Sequence, residues 1–129
     1  MCAPRTDGHV RNNMESQFLI ILFSSPVQHR EAESARDRAQ SLMAAGKKVS
    51  IFLLGDGVYN ASEELIQPGN PGVVSSFAQM EEADIVCCST CLAMRGVNRL
   101  IGTARKGSLE DLVDKMEKAD IILNYTAEE

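Results

Sequence analysis

The chain has 129 residues, 44% hydrophobic and 24% charged, with a formal net charge of −5. That length fits one domain able to bury a core without staples, and the composition is globular, not disordered. Acidity argues against direct nucleic-acid binding as the main activity, and the apolar run at 18–23 is far short of the ~20 residues a membrane span needs.

Residues 1–17 read as a disordered tail. They hold Arg5, Asp7 and Arg11 and have no aliphatic periodicity. They also lack an apolar h-region, so no secretory signal is expected and the cytoplasm is the expected compartment. Met14 is a second possible start. The domain itself is expected over 18–129. Its first element is the unbroken apolar run 18–23, which reads as a strand buried on both faces. A helix is expected over 30–45, with Ala32, Ala35, Ala39, Leu42 and Met43 on one stripe and Gly46 as its C-terminal cap. Residues 49–54 form a second buried strand, broken by Gly55-Asp56-Gly57. A short helix is expected within 58–65. After a Pro/Gly loop, Val73, Val74, Phe77 and Met80 mark a helix that runs to about Ala83. Residues 84–88 form a third strand, and Ser89 or Thr90 can cap a short helix through Met94. A short strand is expected at 101–104. Ser108 and Asp111 resemble a capping box before Leu109, Leu112, Val113 and Met116. Residues 120–125 form the last strand.

This alternation predicts one three-layer α/β domain, a mainly parallel sheet flanked by helices. In such sheets chemistry collects beyond the carboxyl ends of the strands, which selects the loops 24–29, 55–60 and 88–96. His29 lies in the first of these and is a candidate base, although a lone histidine is more often a surface residue. Gly55-Asp56-Gly57 lacks nucleotide-binding spacing and has an anion where phosphate would sit, so a tight turn is the better reading.

The four cysteines are Cys2, Cys87, Cys88 and Cys91, three of them within five positions. A disulfide framework would spread them to close long loops. Cys88-Ser-Thr-Cys91 instead puts a C-x-x-C pair where a strand meets a helix, a place that favours a reactive thiolate, with Arg95 and Arg99 nearby in sequence. Cys87, on the opposite face of the strand, is expected to be shielded and Cys88 to be the most reactive. Competing readings are small buried hydrophobes, a zinc site and a thioredoxin-like domain. A zinc site needs four ligands, and there is no second C-x-x-C while His9 and His29 are distant in sequence. A thioredoxin-like pair would follow the first core strand, not the third.

Three segments together resemble the DsrE/DsrF-like family, which includes TusD-type sulfur-relay subunits. They are the strand–helix–strand of 18–54, the stretch Asp56-Gly-Val-Tyr-Asn-Ala61, and Cys88-Ser-Thr-Cys-Leu-Ala-Met-Arg-Gly96; Ala119-Asp-Ile-Ile-Leu123 fits as well. The resemblance spans 18–125. It implies a DsrE/YchN-like domain that assembles into homo-trimers, hexamers or hetero-oligomers and works with sulfur donor and acceptor proteins. It also implies a cysteine that carries sulfane sulfur as a persulfide. Counting back from Arg95-Gly96, that cysteine is Cys88. Cys91 is not shared by TusD-type subunits but matches a C-x-x-C form among other members, as a resolving or modulating thiol. Tyr59 and Asn60 match the family motif and would shape the pocket. No cofactor or metal is expected. The alternatives are a non-catalytic oligomeric binding module and a C-x-x-C dithiol–disulfide reductase.

Overall fold

The apolar runs become strands of a five-stranded sheet in the computed structural model, which describes residues 16–27, 30–66 and 72–126. The elements are β1 (Gln17–Leu22), α1 (Glu31–Ala44), β2 (Lys48–Leu53), α2 (Gly72–Ala78), β3 (Asp84–Cys88), α3 (Ser89–Arg95), β4 (Ala104–Gly107), α4 (Leu109–Lys118) and β5 (Ile121–Tyr125). Two 3-10 segments, Gly55–Ala61 and Glu63–Leu65, stand where one short helix was expected. The strand order is β4-β3-β2-β1-β5, and every pairing is parallel.

This order places the helices. The chain steps outward from β1 to β4, then returns across the sheet to β5. Right-handed crossovers therefore put α1 and α2 on one face and α4 on the other. Strand residues alternate between two cores. Ile20, Leu22, Ile51, Leu53, Ile85 and Cys87 meet the first pair of helices, while Leu19, Ile21, Phe52, Val86 and Cys88 meet Leu112 and Ala119 on the α4 side. Ala32, Ala35 and Ala39 of α1 are wholly buried. Their short side chains let the helix lie close on the sheet. Lys47 N–H reaches back to the Leu42 carbonyl and Gly46 N–H to that of Met43, which closes α1 as expected. The Ser108–Asp111 capping box is also present.

Several expectations shift. β1 begins at Gln17, whose N–H donates to Asp120 at 2.8 Å. The tail at 1–15, together with Cys2, His9 and His29, lies outside the described residues. α2 ends at Ala78, before Ala83, and Met80 is buried in the turn that follows. The extra strand is not at 101–104 but at Ala104–Gly107. As an edge strand it needs no apolar run, and its Arg105 turns instead to Asp84. β5, the expected last strand, is the opposite edge and leaves Ile121 and Ile122 exposed. None of the described helices is long and apolar enough to cross a membrane.

Asp84 anchors the amino end of β3. It accepts from Arg105 through both carboxylate oxygens at 3.2 Å and pairs with Lys115 of α4, whose ammonium also reaches Ser50. Partial burial pushes the Asp84 carboxyl up, but the hydrogen bonds and charges of Lys115 and Arg105 outweigh it and hold the group below its ordinary range. A depressed carboxylate contributes stability above its unfolded pKa and loses it as pH falls through the folded one. Asp84→Asn is therefore expected to cost up to about 1 kcal/mol at neutral pH, the group being half-exposed. That difference should shrink as pH falls below the ordinary carboxylate range, measured as paired denaturant midpoints.

Candidate active site

β3 runs into α3 with no linker. Cys88 therefore ends the strand and is also the residue at the helix N-cap, with φ −63° and ψ 119°. This differs from the expected Ser89 or Thr90 cap. The Cys88 side chain makes no capping hydrogen bond. Its neighbours follow from strand alternation. Cys87 faces the α1/α2 core and is fully buried, and Cys88 faces the α4 core. Cys88 is itself only 3% exposed. Cys91 is partly exposed and borders both cores.

The turn after β2 comes to meet Cys91. Gly55, in the left-handed region at φ +55°, donates its N–H to Cys91 Sγ at 3.3 Å. Next to it, Asp56 Oδ1 accepts from Arg95 Nε at 2.9 Å, and Arg95 Nη1 donates to the Cys91 carbonyl at 3.4 Å. One guanidinium thus ties this turn to the cysteine loop. Arg99 does not join it; it pairs with Glu63 at 3.2 Å. The positive charge expected near the thiols therefore comes from Arg95, shared with Asp56.

The thiols differ in environment. Burial, then the charge of Cys88, pushes Cys87 up to about 12. At Cys91 burial raises the pKa and the adjoining Cys88 adds to it, while Gly55 N–H and Arg95 pull the other way. Its net shift is upward. The lowered thiol pKa expected at this strand–helix junction is thus not found at Cys91. We expect a neutral maleimide or iodoacetamide to label Cys91 first, Cys88 more slowly and Cys87 last. Peptide mapping over a time course checks the order.

Beneath the turn, Asn60 is fully buried and donates from Nδ2 to the carbonyls of Ser24 and Gly57, both at 2.9 Å. It fastens the loop after β1 to the loop after β2. Tyr59 packs half-buried against the larger core. Both therefore brace the site. Sequence reasoning missed the Gly55 amide and the Asp56–Arg95 pair. The only available signal was that a Gly-Asp-Gly turn and a C-x-x-C loop close neighbouring strands. Among the described residues no group of three or more His, Cys, Asp or Glu is placed to hold a metal.

Residues 17–125 match the sequence model of the DsrE/DsrF-like family. The chain belongs to that family. Among the proteins similar to this chain, the uncharacterized protein MJ0989 of Methanocaldococcus jannaschii is 27% identical over 117 residues, covering 84% of this chain and 99% of that protein. The uncharacterized protein MK0008 of Methanopyrus kandleri is 23% identical over 114 residues, covering 82% and 91%. The crystal structure of the YchN protein from E. coli superposes with a TM-score of 0.77 at 20% identity, covering 85% of this chain and 99% of that one. At that identity the likeness shows the fold. It bears out the expected DsrE/YchN-like α/β architecture.

Proposed function

We propose that this protein is a cytoplasmic sulfur carrier that accepts sulfane sulfur as a persulfide on Cys88 and passes it to an acceptor thiol. Membership of the DsrE/DsrF-like family supports a sulfur-relay type of function exercised with partner proteins. The observation that carries the finer reading is the pair Cys88 and Cys91 at the carboxyl edge of the sheet, with Cys91 held by Gly55 and flanked by Arg95. Two thiols in contact permit exchange of sulfur by thiolate attack, with Cys91 resolving or modulating the persulfide on Cys88.

The carrier works as a homo-oligomer, a trimer or hexamer, or with related subunits. Leu109, Val113 and Met116 on α4 and Ile121 and Ile122 on β5 support this, since each leaves apolar surface exposed on a single chain. Light scattering is expected to exceed the 14.1 kDa of one chain.

Intact mass after incubation with a persulfide donor tests the function. Gain of one sulfur, located on Cys88 at the end of loading, is expected. A loss of two hydrogens without sulfur gain would instead indicate a dithiol–disulfide reductase, and no change a non-catalytic binding module.

A further inference from the structure

Cys91 is partly exposed and Cys88 nearly covered, yet Cys91 packs against the apolar cluster that holds Cys88. A donor persulfide must approach its attacking thiol along the sulfur–sulfur bond, so the covered thiol is a poor first acceptor for a donor that is itself a protein. Small-molecule access to Cys88 is also restricted, because it packs among Leu19, Ile21, Phe52 and Val86. We infer that Cys91 receives sulfur from outside and Cys88 holds it, the sulfur moving inward from one thiol to the other. This rests on the carrier reading above and adds a direction to it.

The two steps balance without an oxidant. In the first, Cys91 Sγ attacks the terminal sulfur of the donor persulfide. The donor's sulfur–sulfur bond breaks, and the donor leaves as a thiol with the proton that Cys91 gives up. In the second, Cys88 Sγ attacks the outer sulfur now on Cys91. The bond from Cys91 Sγ to that sulfur breaks, and the proton lost by Cys88 ends on Cys91. One persulfide and one thiol enter each step, and one of each leaves.

Two contacts act in this direction, against the burial that raises the Cys91 pKa. In the second step negative charge builds on Cys91 Sγ as it departs, and the Gly55 N–H already points at that atom from 3.3 Å. A hydrogen bond that stabilises a leaving thiolate speeds its departure. Arg95, held by Asp56 at 2.9 Å, adds positive charge on the same side. Cys88 makes no capping bond and sits in an apolar layer.

The test is a time course with a stoichiometric small-molecule persulfide, such as glutathione persulfide. Aliquots are quenched with an alkylating agent, and fragment-ion mass spectrometry locates the added sulfur. In the wild-type chain sulfur is expected on Cys91 first and on Cys88 later, an observation that needs no substitution. Cys88→Ser should trap sulfur on Cys91. Cys91→Ser should load Cys88 about tenfold more slowly. Loading of Cys88 at the wild-type rate in Cys91→Ser, or a Cys88–Cys91 disulfide with released sulfide as the main product, would overturn the inward relay. In the first case the carrier reading survives. Absence of sulfur from every cysteine of the wild-type chain would remove both.

Discussion

Gly57→Ala is expected to be among the most damaging single substitutions in the chain, costing about 3 kcal/mol or more and lowering the melting temperature by roughly 10 °C. The reason is not backbone torsion. A Cβ at this position would overlap the Leu22 carbonyl oxygen and lie 2.8 Å from the Leu22 carbonyl carbon. Both atoms are backbone at the end of β1, fixed by the ladder to β2 and β5. No rotamer change can relieve the overlap. Either the 3-10 segment lifts away from the sheet or β1 shifts in its register. Lifting the segment would also carry Gly55 away from Cys91, so sulfur loading should fall together with stability. A variant that melts within about 2 °C of wild type would show that the turn does not sit this close.

Asn60→Asp is expected to cost a similar amount at neutral pH by a different route. The two side chains are nearly isosteric, so no cavity forms. What changes is hydrogen bonding. Nδ2 of Asn60 donates to the Ser24 and Gly57 carbonyls, and its Oδ1 has no donor within reach among the described residues. An aspartate would lose both donors and set a carboxylate against two carbonyl oxygens in a fully buried place. Each buried group left unsatisfied costs about 1–3 kcal/mol, and a buried charge costs more. The carboxyl is therefore expected to take up a proton on folding, which restores one donor. Its folded pKa would then lie above the unfolded value, so the variant should regain stability as pH falls towards 5 and lose it again as pH rises. Urea midpoints at pH 5 and pH 8 for both chains measure this. An Asn60→Asp chain equal to wild type at pH 8 would contradict the role given to Nδ2.

Much of the fold was legible because a doubly wound sheet writes itself in apolar runs. β1, β2 and β3 are central strands, buried on both faces, and their continuous Val, Ile, Leu and Phe content has no other economical reading. β4 was misplaced by three residues for the same reason in reverse. Its Ala-Arg-Lys-Gly sequence lies on an edge, and edges need no apolar signature. The capping of α1 and α4 was legible because caps are local. That of α3 was not, because β3 leads directly into the helix and the cap falls on a cysteine, an unusual capping residue.

The site was legible in its position and not in its arrangement. Alternation placed Cys87 and Cys88 on opposite faces, as found. The near burial of Cys88 depends on α4, which returns across the sheet from residues more than twenty positions away. The bond from Gly55 to Cys91 joins residues 36 apart. Contacts of that range leave no periodic trace in one sequence. The expected rise in thiolate character was a local argument, and burial around Cys91 outweighs it.

The claim at the centre of this account is that sulfur resides on Cys88 and can be handed on. The most direct measurement loads the wild-type chain with isotopically labelled sulfane sulfur, removes the donor, and then adds an excess of acceptor thiol. The label is mapped before and after by alkylation and fragment-ion mass spectrometry. The account predicts one labelled sulfur on Cys88 after loading, its quantitative appearance on the acceptor, and recovery of the site on reloading. Label that rests on Cys87, or stays on the chain when acceptor is added, would contradict it.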